Sequence, residues 1–372
     1  MKGLFAKLKD ALVKPAAPAP AVQADASPQE GMLINAYCTC AEVPALQFAH
    51  TMAARRDLSD PELAPHLEGF IGYVLGRGNG EMSRNRYHVM RHIQRVRQHL
   101  SLVVEDAQLD AFADWAVQAN AILFLRDGGI RDPHGEILLS ANGEEGDGRV
   151  AVPYPSQAWE RKARTEAFLS ARQMPPPAHL PPLISEPELR LRTPQDIAGR
   201  AFALLAVAVQ AESVAAGDPL PVETLFGRLP SARAHLTPKE LAFLSQKAPS
   251  ELEVAQFGWR YECVFLLEWV MGLVDELPFP AAICDVPLTT RLLLDAHDEQ
   301  ALMRAMRVRP DSEILDALDL HYRLHWLARQ AELKAQAVPA GLDPGVILER
   351  HHVLNWLVRF ENKEWDEVDT PT

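Results

Sequence analysis

The sequence predicts an α+β N-terminal module joined to a mainly α-helical C-terminal domain, and three observations carry that expectation. Residues 31–150 mix two periodicities, with short apolar and aromatic runs of strand length among longer stretches of helical spacing. Residues 174–187 read MPPPAHLPPLISEP, a stiff proline-rich stretch of the kind that separates folding units. Beyond it helix-starting devices recur, and no run alternates strongly enough to predict a sheet.

Composition bounds the reading further. With 372 residues, 48% of them hydrophobic and 23% charged, the chain can bury a sizeable core in two domains. A net charge of -13 argues against a general nucleic-acid or anionic-membrane binder. Cys38, Cys40, Cys263 and Cys284 lack the spacing of a disulfide scaffold, so reduced thiols in a cytoplasm are expected. Neither a secretory leader nor a membrane span is expected.

In chain order, residues 1–14 place Leu4, Phe5, Leu8 and Leu12 on one helical face. A helix of about 12 residues is marginal in water and weak as a lone membrane anchor, so a frayed tail is expected. Residues 15–30 form a Pro/Ala linker. In the module, 32–39, 68–75, 121–125 and 135–139 read as strands, and 44–56, 83–99 and 106–120 as helices. Gly76, Gly78 and Gly80 match neither the dinucleotide fingerprint nor the P-loop, and read as a flexible connection. The helix after them carries Arg84, His88, Arg91, His92, Arg95 and His99 opposite an apolar stripe, with no acid between Arg84 and His99. Arg84, Arg91 and Arg95 are therefore candidate anion-binding residues. Nucleic acid is not expected there, because the footprint is narrow and only Tyr87 supplies an interleaved ring.

Residues 151–187 are read as a solvated charged helix, over 154–173, followed by the proline-rich hinge, and 188–372 as an all-α domain of six main helices. Thr193-Pro194 opens the first, to about Ala215, and Thr237-Pro238 with Glu240 the second. A capping box of Ser250 with Glu253 opens the third, a core helix apolar on every side from Cys263 to Val274 except at Glu268 and Gly272. Pro278 and Pro280 are expected to end it. The remaining helices are 289–307, 311–337 and, from Asp343-Pro344, a last one to about Asn362.

Candidate chemistry gathers in this half. Glu262 and Glu268 ride on the core helix, and each must pair, protonate or reach water, because an unpaired buried carboxylate is costly. A structural role is expected, with a catalytic one as the alternative. His321 and His325 are four residues apart on one helical face, the spacing of a metal-ligand pair. Tyr322 stands where a metallopeptidase would carry its glutamate, and a third ligand would have to come from His351, His352, Cys284, Asp285 or Glu262. Core histidines are expected in preference to zinc ligands. Arg350 interrupts the apolar stripe of Val346, Val353, Leu357 and Phe360, and is expected to pair bidentately with Glu262 or Glu268.

Residues from about 193 onward resemble the bacterial domain-of-unknown-function family DUF4272. The resemblance is carried by Trp259-Arg260-Tyr261-Glu262, Leu277-Pro278-Phe279-Pro280, Cys284-Asp285, Asp319-Leu320-His321-Tyr322-Arg323-Leu324-His325-Trp326, Arg350-His351-His352-Val353-Leu354-Asn355-Trp356-Leu357 and Trp365-Asp366-Glu367-Val368. It departs at the end, where Asp369-Thr370-Pro371-Thr372 replaces the family's Thr-Asp-Thr. The resemblance implies a bacterial cytoplasmic protein and no particular reaction. Its motifs supply the candidate binding residues Trp259, Arg260, Tyr261, Glu262, His321, Arg323, His325, Arg350, His351, His352, Asn355 and Trp356.

The expected function is a non-catalytic intracellular binding or scaffold protein with a protein partner, because no nucleophile-base pair, complete metal set or phosphate loop assembles at recognised spacing. One alternative is a metal-assisted or carboxylate-dependent hydrolase using His321, His325 and His351 or His352, with Glu262 as base. The other is anion or nucleic-acid binding on the 84–99 face.

Overall fold

Strand β1 (Met32–Cys38) is the middle of an antiparallel sheet whose other strands are β2 (His50–Asp57), β3 (Gln98–Val104), β4 (Ala121–Leu125), β5 (Ile130–Arg131) and β6 (Ile137–Leu139), in the order β2-β3-β1-β4-β5-β6. The computed structural model describes residues 31–372 apart from Asn79, Gly148, Arg149 and His297, so the tail and linker read in residues 1–30 lie outside the described residues. Two compact units are present, one of residues 31–158 with 187–189 and one of residues 159–186 with 190–372.

In the first unit both faces of the sheet are covered. Alternation along the strands sends Ile34, Ala36, Leu100 and Leu102 to one face, against Phe112 and Trp115 of the helix Leu109–Gln118. Tyr37 and Ile122 go to the other, against Phe70 and Val74 of α1 (Leu63–Leu75) and Val89 and Ile93 of α2 (Arg84–Arg95), while α3 spans Leu109–Gln118. The class is the α+β expected, but two elements exchange identity. Residues 68–75 are helix: Leu63, Phe70 and Val74 fall on one buried helical face, and that packing overrides the β-propensity of the run. Within residues 44–56, β2 is an edge strand instead, fixed by pairing with β3.

The basic helix is also shorter than read. It stops at Arg95, where Val96 turns extended, and His99 stands in β3. Arg95 is neutralised by Glu188 at 2.6 Å, Arg91 donates to Gln94, and His92 is buried against the Tyr37 carbonyl. Arg91 and Arg95 thus already spend hydrogen bonds inside the unit, while Arg84 stands exposed. In the glycine connection, Arg86 donates to the carbonyls of Glu81 and Arg77 at 2.6 and 2.8 Å, so it is carbonyl oxygens, not amides, that the turn gives to this side chain.

The second unit is all helix: most of α4 (Ser156–Ser170), then α5 (Pro194–Ala215), α6 (Val222–Arg228), α7 (Pro238–Ser245), α8 (Glu251–Gly258), α9 (Arg260–Val270), α10 (Val286–Ala296), α11 (Glu299–Ala305), α12 (Asp311–Leu333) and α13 (Pro344–Leu357). The capping boxes at Thr193, Thr237 and Ser250 all form. The core helix begun by Ser250 breaks at Trp259 into α8 and α9. It ends at Gly272, φ +70°, before either proline, because a left-handed glycine closes the last turn and the Arg307 carbonyl leaves no room for a Cβ. The 289–307 stretch likewise divides into α10 and α11.

Helix α5 packs on α8, α9 and α11, and α13 on α9 and α12. By length and composition α5 can cross a membrane, which the sequence reading overlooked; 78% of its apolar window is buried inside the unit. Its Gly199 lies under the His235 ring, whose Nε2 bonds Glu299 at 2.9 Å. Gly199→Ala should therefore lower the melting temperature, by an overpacking cost of about 1–3 kcal/mol, where an uncrowded helix would gain from the change.

Helix α4 is not solvated on all sides. Arg161 reaches Glu186 and Asp316 at 2.6 and 2.7 Å, and Lys162 donates to the carbonyls of Ala178 and Leu180. With Met174 and Leu180 buried, the proline-rich stretch is held down by these bonds, because its prolines leave carbonyls with no amide partners of their own.

Candidate binding site

Helices α9, α12 and α13 bring the motif residues of the second unit together around a buried polar node. Arg350 on α13 is fully buried and donates from Nε to Glu262 on α9 at 3.1 Å, the partner expected. The contact is single, not bidentate: Nη1 donates to the Pro278 carbonyl at 2.7 Å, and the second Glu262 oxygen accepts the Cys284 amide. Four separated motifs thus meet at one ion pair. A second pair, Arg323 with Asp319 on α12, is bidentate at 2.8 and 2.9 Å with neither side chain exposed, and Arg323 also reaches the Pro181 carbonyl.

Glu268 differs from Glu262. It is 0% exposed, and neither its carboxyl oxygens nor the Thr289 hydroxyl beside it completes a hydrogen bond. Burial raises its pKa to about 9, and the nearby hydroxyl pulls it back only in part. A neutral acid at physiological pH results.

The histidines part company. His321 Nδ1 bonds the Ala317 carbonyl at 2.7 Å, and burial, with the charge of Arg350, lowers its pKa to about 3. His325 turns instead to His351, with the two Nδ1 atoms 2.9 Å apart. One ring must donate there and the other accept, so at least one is a neutral imidazole of fixed tautomer. Burial and Arg329 lower the pKa of His325 to about 4. His352, its pKa lowered to about 3 mainly by burial, packs edge-on against Trp365. Among the described residues, no group of three or more His, Cys, Asp or Glu side chains is placed to hold a metal ion, and His321 and His325 do not converge on a shared point.

The other candidates fasten elements together. Trp259 lies over Gly345, Arg260 reaches Glu349 at 2.5 Å, and Tyr261 donates to Glu212 at 2.5 Å. Asn355 donates to the Asp369 carbonyl at 2.8 Å, tying down the terminal segment, and Trp356 packs against Trp365.

Among the described residues, cavities of two sizes flank α13. The smaller, about 220 Å³, lies beside Arg192, Arg200, Trp356 and Trp365. Its arginines are engaged, Arg192 by both oxygens of Glu364 and Arg200 by Glu240 and the His235 carbonyl. The larger, about 880 Å³, opens between the end of α12, the start of α13 and residues 369–372. Its wall includes His325, Arg329, Glu332 and Asp369, with Leu333 and Leu348 standing 71% and 42% exposed at its edge. Sequence reasoning found His325 but missed Arg329, Leu333, Leu348 and Asp369. Exposed residues on the outer faces of two helices share no periodic signal; two apolar residues on otherwise polar helix faces were the one trace available.

The profile of a family described as "Domain of unknown function (DUF4272)" matches residues 161–368 of this chain, beginning earlier than the motif-bearing region and including most of α4 and the proline-rich stretch. No curated protein and no solved structure matches.

Proposed function

From the premise that the chain belongs to the DUF4272 family, we propose that it is a non-catalytic bacterial binding protein of the cytoplasm, whose helical unit takes a small organic ligand in the cavity beside His325. The observation that carries this reading is that cavity. Its volume of about 880 Å³ lies within the range of small-molecule sites, roughly 300–1,000 Å³. Apolar Leu333 and Leu348 at its edge suit an apolar body, and His325, Arg329 and Asp369 suit a hydrogen-bonding head. The motif residues support the same reading from the other side, since Arg350 bonds Glu262 and the Pro278 carbonyl, Glu262 also accepts the Cys284 amide, and Arg323 bonds Asp319 and the Pro181 carbonyl. Four free, buried cysteines support a reducing compartment.

The test is a ligand screen on the full chain by saturation-transfer NMR, with hits followed on the His325 and His351 imidazole resonances. Leu348→Trp, which fills the cavity from a partly exposed position, should weaken a hit at least tenfold, about 1.4 kcal/mol, without changing the melting temperature. Hits that bind Leu348→Trp as well as wild type would sink the proposal.

A further inference from the structure

Most deeply placed arginines in this protein have an acid within reach, as Arg95, Arg161 and Arg323 do at 2.6, 2.6 and 2.8 Å. Arg56 does not. It is half-buried on β2, and among the described residues its one side-chain hydrogen bond runs from Nη1 to Nδ1 of His99 at 3.2 Å and it makes no ion pair. Strand register builds the surroundings: Arg56 stands opposite His99 on β3, and His99 opposite Tyr37 on β1, so the three form one row across the sheet on the face covered by α1. His66, from the first turn of α1, leans over that row. Its ring centroid is 4.4 Å from that of His99, and its Nε2 is 3.0 Å from the Tyr37 hydroxyl.

The hydrogen bonds fix the charge. Asn35 Oδ1 lies 3.1 Å from His99 Nε2 and can only accept, so that nitrogen carries the proton and Nδ1 is free to accept from Arg56. His99 is therefore neutral, and the relay from Arg56 to Asn35 contains one uncompensated positive charge. The remaining Arg56 N–H groups reach solvent, since none is buried without a partner. Burial, the neighbouring His66 and the Arg56 charge hold the pKa of His99 down to about 3, and burial and Arg56 lower that of His66. Among the described residues, no carboxylate offsets this at His66, His99 or Tyr37.

We propose that Arg56, His66 and Tyr37 form a binding site for a phosphate-class oxyanion on the sheet face of the first unit. A dianion there takes its charge-assisted bonds from the free Arg56 nitrogens. His66 then gains a proton from solvent, and the two positive charges balance the two negative ones. Protonated His66 no longer accepts from the Tyr37 hydroxyl, which becomes available as a further donor to the anion. The proposed anion site lies on the sheet beneath α1, apart from the helix face that carries Arg84, Arg91 and Arg95.

The experiment is a titration of the full chain with inorganic phosphate against sodium chloride at matched ionic strength, read on the imidazole carbon-bound protons by NMR. Phosphate should produce a saturable shift of the His66 signal and raise its pKa by about one unit or more, as an opposite charge within contact distance does. Arg56→Gln should lose this response, whereas Arg55→Gln, at an exposed neighbour bonded to Gln98, should keep it. A shift equal in chloride, no saturable shift, or one that survives Arg56→Gln overturns the proposal. The wild-type comparison of phosphate with chloride decides the matter even if Arg56→Gln fails to fold.

Discussion

Arg350→Ala should lower the unfolding free energy by about 3–5 kcal/mol, the loss that follows removal of one partner from a buried ion pair. The cost has two parts. Glu262 is left 2% exposed with its charge opposed only by the Cys284 amide, and the Pro278 carbonyl loses its donor. Truncation also empties volume against Phe265, over whose ring the guanidinium sits at 5.5 Å. The measurement is urea denaturation of the variant beside wild type. Because the stranded charge is most of the expected loss, Glu262→Gln in the Arg350→Ala background should recover part of it, whereas a pure packing loss would not be recovered. An unfolding midpoint unchanged in Arg350→Ala would mean that water enters the node and the pair contributes nothing.

That pair was legible in the sequence for a physical reason. An arginine inside an apolar helical stripe must find an acid, and beyond its first turn the core helix carries only two, Glu262 and Glu268. The caps at Thr193, Thr237, Ser250 and Asp343 were legible too, because a cap is settled within one turn by local chemistry. Misreadings came where distant contacts decide. The β2 backbone is fixed by its partner β3 some 45 residues later, and α1 by burial of Phe70 and Val74 on the sheet. His321 and His325 share a helical face, but His351, from another helix, claims the ring of His325. The oxyanion row was hidden more deeply, since Tyr37, Arg56, His66 and His99 come from four elements, of which β2 and α1 were assigned to the wrong class and β3 was not read, His99 being placed in the basic helix.

Glu268 should make the protein lose stability as pH rises through the neutral range. Its pKa is raised in the folded protein to about 9 from an ordinary 4.5. Between those values the folded state holds a proton that the unfolded state has released, so the slope of unfolding free energy against pH is negative. The contribution is whole below about pH 4.5, falls by about 1.4 kcal/mol per pH unit above it, and levels off only beyond about pH 9. At pH 7 the accumulated cost is about 3 kcal/mol. Glu268→Gln preserves the shape and removes the proton, so its stability, measured by urea denaturation at several pH values, should cross that of wild type. The variant should be less stable at pH 5, where it has only an amide to bury, and more stable at pH 8, where wild type must still take up its proton to fold. Parallel curves for the two proteins would show that Glu268 finds water or a partner and ionises in the folded state. A crossing would show instead that the core of a chain with 50 acidic residues keeps one of them neutral.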